Sequence, residues 1–371
     1  MDDAFRLADE IGPAKITQVY NPAVGLKGVL VVDNVAIGPS IGGLRIALDV
    51  STEECARLAR AMTLKSAAAG LAHGGGKSVI CADPKMPLAD KERLVRAFAC
   101  ALRHMEDYIF GPDMGTDETC MAWIKDEIGR AVGLPREFGG IPLDEIGATG
   151  WGMRHATEVA LQFRDFRMEG ARVAVQGFGA VGKHAARFLA AEGAILVAAA
   201  DSCGTIHNPH GIDVTELMRI KAAGATVCDY PRGKKLDRDA IIDIECDIWI
   251  PAARPDVIHE RNAGRLKTRL VMEGANIPIT RGAERLLQQS GVLCVPDFIA
   301  NAGGVICAAA EYRGASQSDA LALIEEKLRA NTEAVLKRAA DTGKLPREAA
   351  LALAAERVTA AMKLRRWSLY Q

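Results

Sequence analysis

Few stretches confine a chain as tightly as RVAVQGFGAVGKHAARFLAAEG, residues 172–193. A short apolar run, RVAVQ, leads straight into Gly177-x-Gly179-x-x-Gly182. A helical pattern follows, with Val181, Ala185, Phe188 and Leu189 on one face. In a strand–turn–helix that receives a pyrophosphate each glycine has its own reason. Gly177 permits the tight turn, Gly179 lets the ligand approach the backbone, and Gly182 lets helix and strand pack closely. Gly177, Phe178, Gly179, Ala180, Val181 and Gly182 are therefore read as a dinucleotide cradle. Asp201, at the end of the next predicted strand, is placed to accept from both ribose hydroxyls. That points to NAD rather than NADP, because a carboxylate repels a 2′-phosphate. The plainer reading of Asp201 is a helix cap.

The surroundings agree with this. RVAVQ (172–176), ILVAAAD (195–201), DIWIP (247–251), RLVME (269–273) and VLCVPD (292–297) read as strands, separated by helical stretches such as 180–192 and 280–290. Such alternation predicts a parallel sheet with helices on both faces. A chain of 371 residues has room for a second domain. Its first half predicts strands at 28–33 and 79–83, with a helix between them opened by a capping box of Ser51 and Glu54. A further helix after Thr116 carries Asp117 and Glu118 in its first turn and Met121, Ile124, Ile128 and Val132 on one face. Two long helices close the chain. A net charge of −1 gives no footprint for nucleic acid or an acidic membrane. No apolar run reaches the length of a bilayer span, and the acidic opening MDDAFRLADE is unlike a secretory signal. Nine scattered cysteines form no CxxC pair or disulfide framework, as expected of a cytoplasmic protein; no metal is expected.

GLAHGGGKS, residues 70–78, first suggests a second phosphate loop. The spacing G-x-x-x-x-G-K-[ST] requires glycine at 71, where this chain has Leu71, and a strand before it, where the pattern is helical. Lys77 therefore needs another partner. Lys65 lies twelve residues upstream on the helical face of Leu58 and Met62, where an ammonium is costly unless it meets an anion or snorkels to solvent. Two lysines sharing a glycine-walled pocket divide naturally into a carboxylate ligand, Lys65, and a base, Lys77. The glycines are expected to let ligands approach the backbone.

At this point the chain resembles the amino acid dehydrogenases that include the glutamate, leucine, valine and phenylalanine enzymes. The resemblance runs from GGLR (42–45) through MTLKSAAAGLAHGGGK (62–77), GPDMGTDETCMAW (111–123), ATGWG (148–152), GFGAVG (177–182) and EGANIP (273–278) to PDFIANAGGV (296–305). It implies an N-terminal α/β substrate domain (1–148), a Rossmann-type NAD domain (149–335) and a C-terminal helical segment (336–371) returning to the first domain. By the same resemblance Lys77 is the catalytic lysine, Lys65 holds the substrate carboxylate, and Asp113 handles the amine and its proton. Gly43 belongs to the substrate site, Thr149 and Asn276 to the cofactor, and Asn301 lies near nicotinamide and substrate. His73 has no role there and is read as structural. A homo-oligomer, of six or eight subunits, is implied.

The implied reaction is reversible, NAD-dependent oxidative deamination of an L-amino acid to its 2-oxo acid and ammonia, with cleft closure excluding water. Glutamate enzymes of the family carry a lysine before GG-x-R, a polar residue three before the carboxylate lysine, and a hydroxyl seven after the NAGGV asparagine. Here these are Ile41, Met62 and Ala308. A γ-carboxylate buried without a cation costs several kcal/mol, so the expected substrate is apolar, branched-chain or aromatic. The alternative is glutamate. A third reading, a non-catalytic NAD-binding regulator, predicts loss of Lys77, Lys65 or Asp113, and none is lost.

Overall fold

The computed structural model describes residues 5–365 as two compact units. The first comprises residues up to Pro142, Val305–Ala320 and the chain from Leu351; the second comprises Leu143–Gly304 and Leu321–Ala350.

The first unit is built on strands β1 (Lys15–Asn21), β2 (Leu26–Asn34), β3 (Ser40–Ala47), β4 (Gly74–Cys81) and β5 (Tyr108–Pro112), in the order β1-β2-β4-β3-β5. β4, β3 and β5 run parallel, and the other pairs are antiparallel. Helix α1 (Thr52–Ala68) lies on one face; α2 (Leu88–Ala101) and α3 (Glu118–Ile128) lie on the other. The run Leu30-Val31-Val32 shows why the sheet is apolar throughout. Leu30 and Val32 join Phe98, Phe110, Met121 and Ile124 in one core, while Val31 joins Cys55, Ala59 and Val79 in the other. A strand buried on both faces loses its polar alternation.

The triple glycine is not a loop: Gly74, Gly75 and Gly76 open β4. A Cβ on Gly75 would fall on the backbone nitrogen of Thr63 in α1. Gly75 brings helix and strand together, while Gly74 and Gly76 press on Asn34 O and the Tyr108 ring; all three are filled by protein, which corrects the expectation that they admit ligands. The same close approach decides which side of α1 faces the sheet. Cys55, Ala59, Thr63 and Ser66 are buried, a stripe of small side chains. Leu58, Met62 and Lys65, predicted to be the packed face, sit beside it half-buried, so Lys65 does not have to bury its charge. The capping box is half formed. Ser51 accepts from Glu54 N at 3.1 Å, but the Glu54 carboxylate turns to Arg45. Asp117 caps α3, which ends at Gly129 in the left-handed region, short of Val132.

The second unit begins with α4 (Leu143–Ile146) and α5 (Ala148–Leu161). Strands β6 (Arg172–Gln176), β7 (Ile195–Ala200), β8 (Thr205–His207), β9 (Lys234–Leu236), β10 (Ile248–Pro251), β11 (Leu270–Met272) and β12 (Leu293–Val295) follow. Their order is β12-β11-β10-β6-β7-β8-β9, parallel from β12 to β7. Helices α6 (Ala180–Ala191), α7 (Val214–Ala222) and α8 (Arg281–Gln289) alternate with the strands, and α9 (Asp297–Ala300) follows β12. All five predicted strands are present, within one or two residues of their expected ends. The antiparallel extension β8–β9 is beyond what three-residue strands reveal in sequence. The last helices are α10 (Gly303–Tyr312), α11 (Gln317–Thr342) and α12 (Pro346–Leu364). No described helix is long and apolar enough to cross a membrane.

Candidate active site

In the first unit the site follows from strand register. Ile41 stands opposite Gly75, and Gly43 opposite Gly111. Side chains alternate along a strand, so Ile41, Gly43 and Arg45 share the α1 face with Lys77. Lys77 is nearly buried, its side chain 8 % exposed, and its ammonium meets the carboxylate of Asp113, one residue beyond β5. Gly43 makes the crossing possible. A Cβ there would sit 2.8 Å from the Asp113 Cβ and 3.1 Å from Lys77 Nζ. Arg45 Nε donates to the same Asp113 oxygen at 3.2 Å, while its Nη1 holds Glu54 at 2.6 Å. Thr116 Oγ1 accepts from the Asp113 backbone N–H at 2.9 Å and lies 2.8 Å from Leu44 O, fixing the turn. Burial alone would raise the Asp113 carboxyl. The Lys77 ammonium, the Met114 backbone N–H and Arg45 outweigh it and hold the group below its usual range. Asp113 is thus an ionised acceptor, 21 % exposed, beside a cation.

Ile41 is 4 % exposed. Met62 and Lys65 lie on the last two turns of α1, and Ala308 is half-buried on α10. That helix is anchored by Glu311, whose carboxylate accepts from the N–H groups of Gly133 at 2.7 Å, Leu134 at 3.1 Å and Ile141 at 2.8 Å. His73 is buried between Pro39 O, 3.1 Å from its Nδ1, and the edge of Tyr312. Arg45 and Thr116 escaped the sequence reading. Arg45 could have been found, since it lies two residues from Gly43 and so on the same face.

In the second unit the glycines divide their work as the fingerprint requires. Gly177 has φ +94°, and a Cβ there would press on Ala252 O. Gly182 packs against Gly177 and Val175, whereas a Cβ at Gly179 would meet nothing within 4 Å. That open point faces the N-terminus of α6, where Gly179 brings no side-chain cap, and backbone N–H groups there suit a phosphate. The residues fit a dinucleotide. Phe178 is buried, and Ala180 and Val181 form the first turn of α6. Thr149 stands at the start of α5. Asn301 Nδ2 donates to Asn276 Oδ1 at 3.0 Å and Gly274 O at 3.3 Å, joining two of the predicted residues.

Asp201 is more occupied than its sequence position suggests. One oxygen accepts from Lys221 Nζ at 2.7 Å and Val227 N at 2.9 Å, and the other from Cys203 N at 2.9 Å. Burial pushes this carboxyl up, but Lys221 and the two N–H groups together bring it below its usual range. Ser202, Lys221, Arg238 and Arg254 line the same pocket as Gly177 and Gly179, so its charge is not that of a lone acid.

A family described as Glutamate/Leucine/Phenylalanine/Valine dehydrogenase matches residues 139–366, and its Glu/Leu/Phe/Val dehydrogenase, dimerisation domain matches 13–130. The glutamate dehydrogenase of Aeropyrum pernix is 39% identical over 357 residues, covering 90% of this chain and 85% of its own. The NADP-specific glutamate dehydrogenase of Saccharolobus shibatae is 35% identical over 356 residues, covering 90% and 83%. Among solved structures, the hetero-hexameric glutamate dehydrogenase of Thermus thermophilus, in a Leu-bound form, superposes with TM-score 0.84 at 32% identity, covering 96% of this chain and 91% of that one. Motif order, two-unit fold and relatives agree: the chain belongs to the glutamate/leucine/phenylalanine/valine dehydrogenase family, oxidoreductases acting on the CH–NH2 group of amino acids.

Proposed function

We propose that Lys77 and Asp113 carry out the proton transfers of reversible oxidative deamination, with Lys65 holding the substrate α-carboxylate. The observation behind this is the buried Lys77–Asp113 pair spanning Gly43, with Lys65 half-buried on the neighbouring helix. The nicotinamide supplies the hydride acceptor when bound. The chain's own groups do the rest. Lys65 fixes the carboxylate so that the Cα–H bond is oriented. Asp113 takes and returns the proton on nitrogen. Lys77, after its ammonium has given up a proton to solvent, takes a proton from the water that adds to the imino acid, and the carbinolamine, protonated on nitrogen by Asp113, collapses to 2-oxo acid and ammonia.

Two substrate classes each have support. The names of the relatives favour glutamate. The buried Ile41 on the Lys77 face, with half-buried Met62 and Ala308, favours an apolar side chain. Cofactor choice divides similarly. Asp201 suits the ribose hydroxyls of NAD, whereas its pairing with Lys221 and the nearby Ser202, Arg238 and Arg254 suit a 2′-phosphate. One panel tests both: kcat/KM for glutamate, leucine, valine and phenylalanine with NAD and with NADP. Glutamate ahead of all three removes the apolar reading, and leucine or phenylalanine ahead removes glutamate. Cofactor binding without turnover on any of them would overturn the catalytic assignment.

A further inference from the structure

The second unit buries an ion cluster that the reaction does not use directly. Arg347, at the start of α12, donates from Nη2 to Glu273 at 2.7 Å, from Nη1 to Asp297 at 2.7 Å, and from Nε to Glu284. Glu273 is fully buried and follows β11; Asp297 opens α9 after β12. These two acids begin the segments that carry Asn276 and Asn301. Asp297 accepts from the backbone N–H of Ile277 at 2.9 Å, and Ile277 has φ +49°. A β-branched residue in that region is strained and persists only where its surroundings hold it. Asp297 also donates its own N–H to Glu273 at 3.3 Å, and its carbonyl accepts from Asn301 N at 2.7 Å. One guanidinium therefore ties together the two loops whose asparagines bond to each other.

We propose that Arg347 is a positioning residue, holding Asn276 and Asn301 in their mutual geometry through Glu273 and Asp297. This rests on the reading of those asparagines as cofactor and substrate contacts. Glu284 has a separate part. Its carboxylate shares the Arg347 guanidinium with those of Glu273 and Asp297. The buried Oε1 of Glu273 and Oε2 of Glu284 have no hydrogen-bond partner. Burial pushes both carboxyls above the usual range against the pull of Arg347.

The test compares Arg347→Met and Arg347→Lys with Arg329→Met, which breaks an ion pair to Glu158 and Glu325 elsewhere in the same unit. Hydrogen exchange at the amides of 274–277 is read in the cofactor-free protein, alongside kcat and KM. Both Arg347 variants should speed exchange there at least tenfold and lower kcat at least tenfold, with KM for the amino acid within threefold. Arg329→Met should change none of these. Unchanged exchange at 274–277, or the same acceleration in Arg329→Met, overturns the proposal. Should Arg347→Met fail to fold, the charge-keeping Arg347→Lys decides. A wild-type protein without turnover would sink the catalytic reading, while the exchange comparison would still decide the clamp.

Discussion

Each unit places a cation among carboxylates, and the two clusters are built to opposite ends. Around Asp113 two cations, Lys77 and Arg45, converge on one carboxylate that is 21 % exposed, and Arg45 also holds Glu54. Around Arg347 the acids outnumber the cation, and Glu273 is wholly buried. The proposed reacting site needs an ionised group that a ligand can reach, and the two cations beside Asp113 favour its ionised form despite burial. A clamp needs many acceptors on one rigid donor, and the planar five-donor fork of arginine provides that where lysine does not. Burial first, and the surplus of acid after it, push the Glu273 and Glu284 carboxyls above the usual range.

The largest contrast is expected from Lys77→Ala. Removing a positioned base lowers kcat by roughly a hundredfold to ten-thousandfold. Cofactor affinity, measured by fluorescence titration, should stay within twofold, because the cradle at Gly177–Gly182 belongs to the other unit. A variant that keeps most of its activity would move the base elsewhere and make the Asp113 cluster an ion pair without chemistry.

Ile41→Lys sharpens the same site on the side of specificity. It places an ammonium two residues from Gly43 on the Lys77 face, and should raise the ratio of glutamate to leucine kcat/KM by about a hundredfold, the scale on which side-chain pockets discriminate. An unchanged ratio would take Ile41 out of the substrate pocket.

The two clusters were not equally legible. Lys77 stands out in GGGK, whereas Asp113 in GPDMGT becomes legible only through the family resemblance, since taken alone it reads as a helix-entry residue. The parallel sheet around β6 was equally plain, since five apolar runs alternate with helices. The face of α1 was misread because apolar size was taken as the guide, whereas Gly75 selects the small residues Cys55, Ala59 and Thr63. Asp201 looked free because Lys221 is twenty residues away, on another element. Arg347 was invisible for the same reason, its partners being 50 to 74 residues distant. In sequence it is one basic residue in a helix rich in alanine.

The smallest expected effect separates the clusters by pH. Asp113 lies below its ordinary 3.8, so its stabilisation is present above that value and fades as pH falls through the folded-state value. Glu284, facing Arg347, Glu273 and Asp297, lies above its ordinary 4.5. From 4.5 upward the unfolded chain releases that proton while the folded chain keeps it. Stability therefore declines as pH rises until the folded-state value is passed. Glu284→Gln removes this titrating group, and with it Glu284's part of the pH dependence, while keeping the side-chain volume. Urea denaturation should find the variant level with the wild type near pH 4 and more stable at pH 8, with the acid-side loss from Asp113 unaltered. Parallel stability curves for the two proteins would mean that folding does not raise the Glu284 carboxyl.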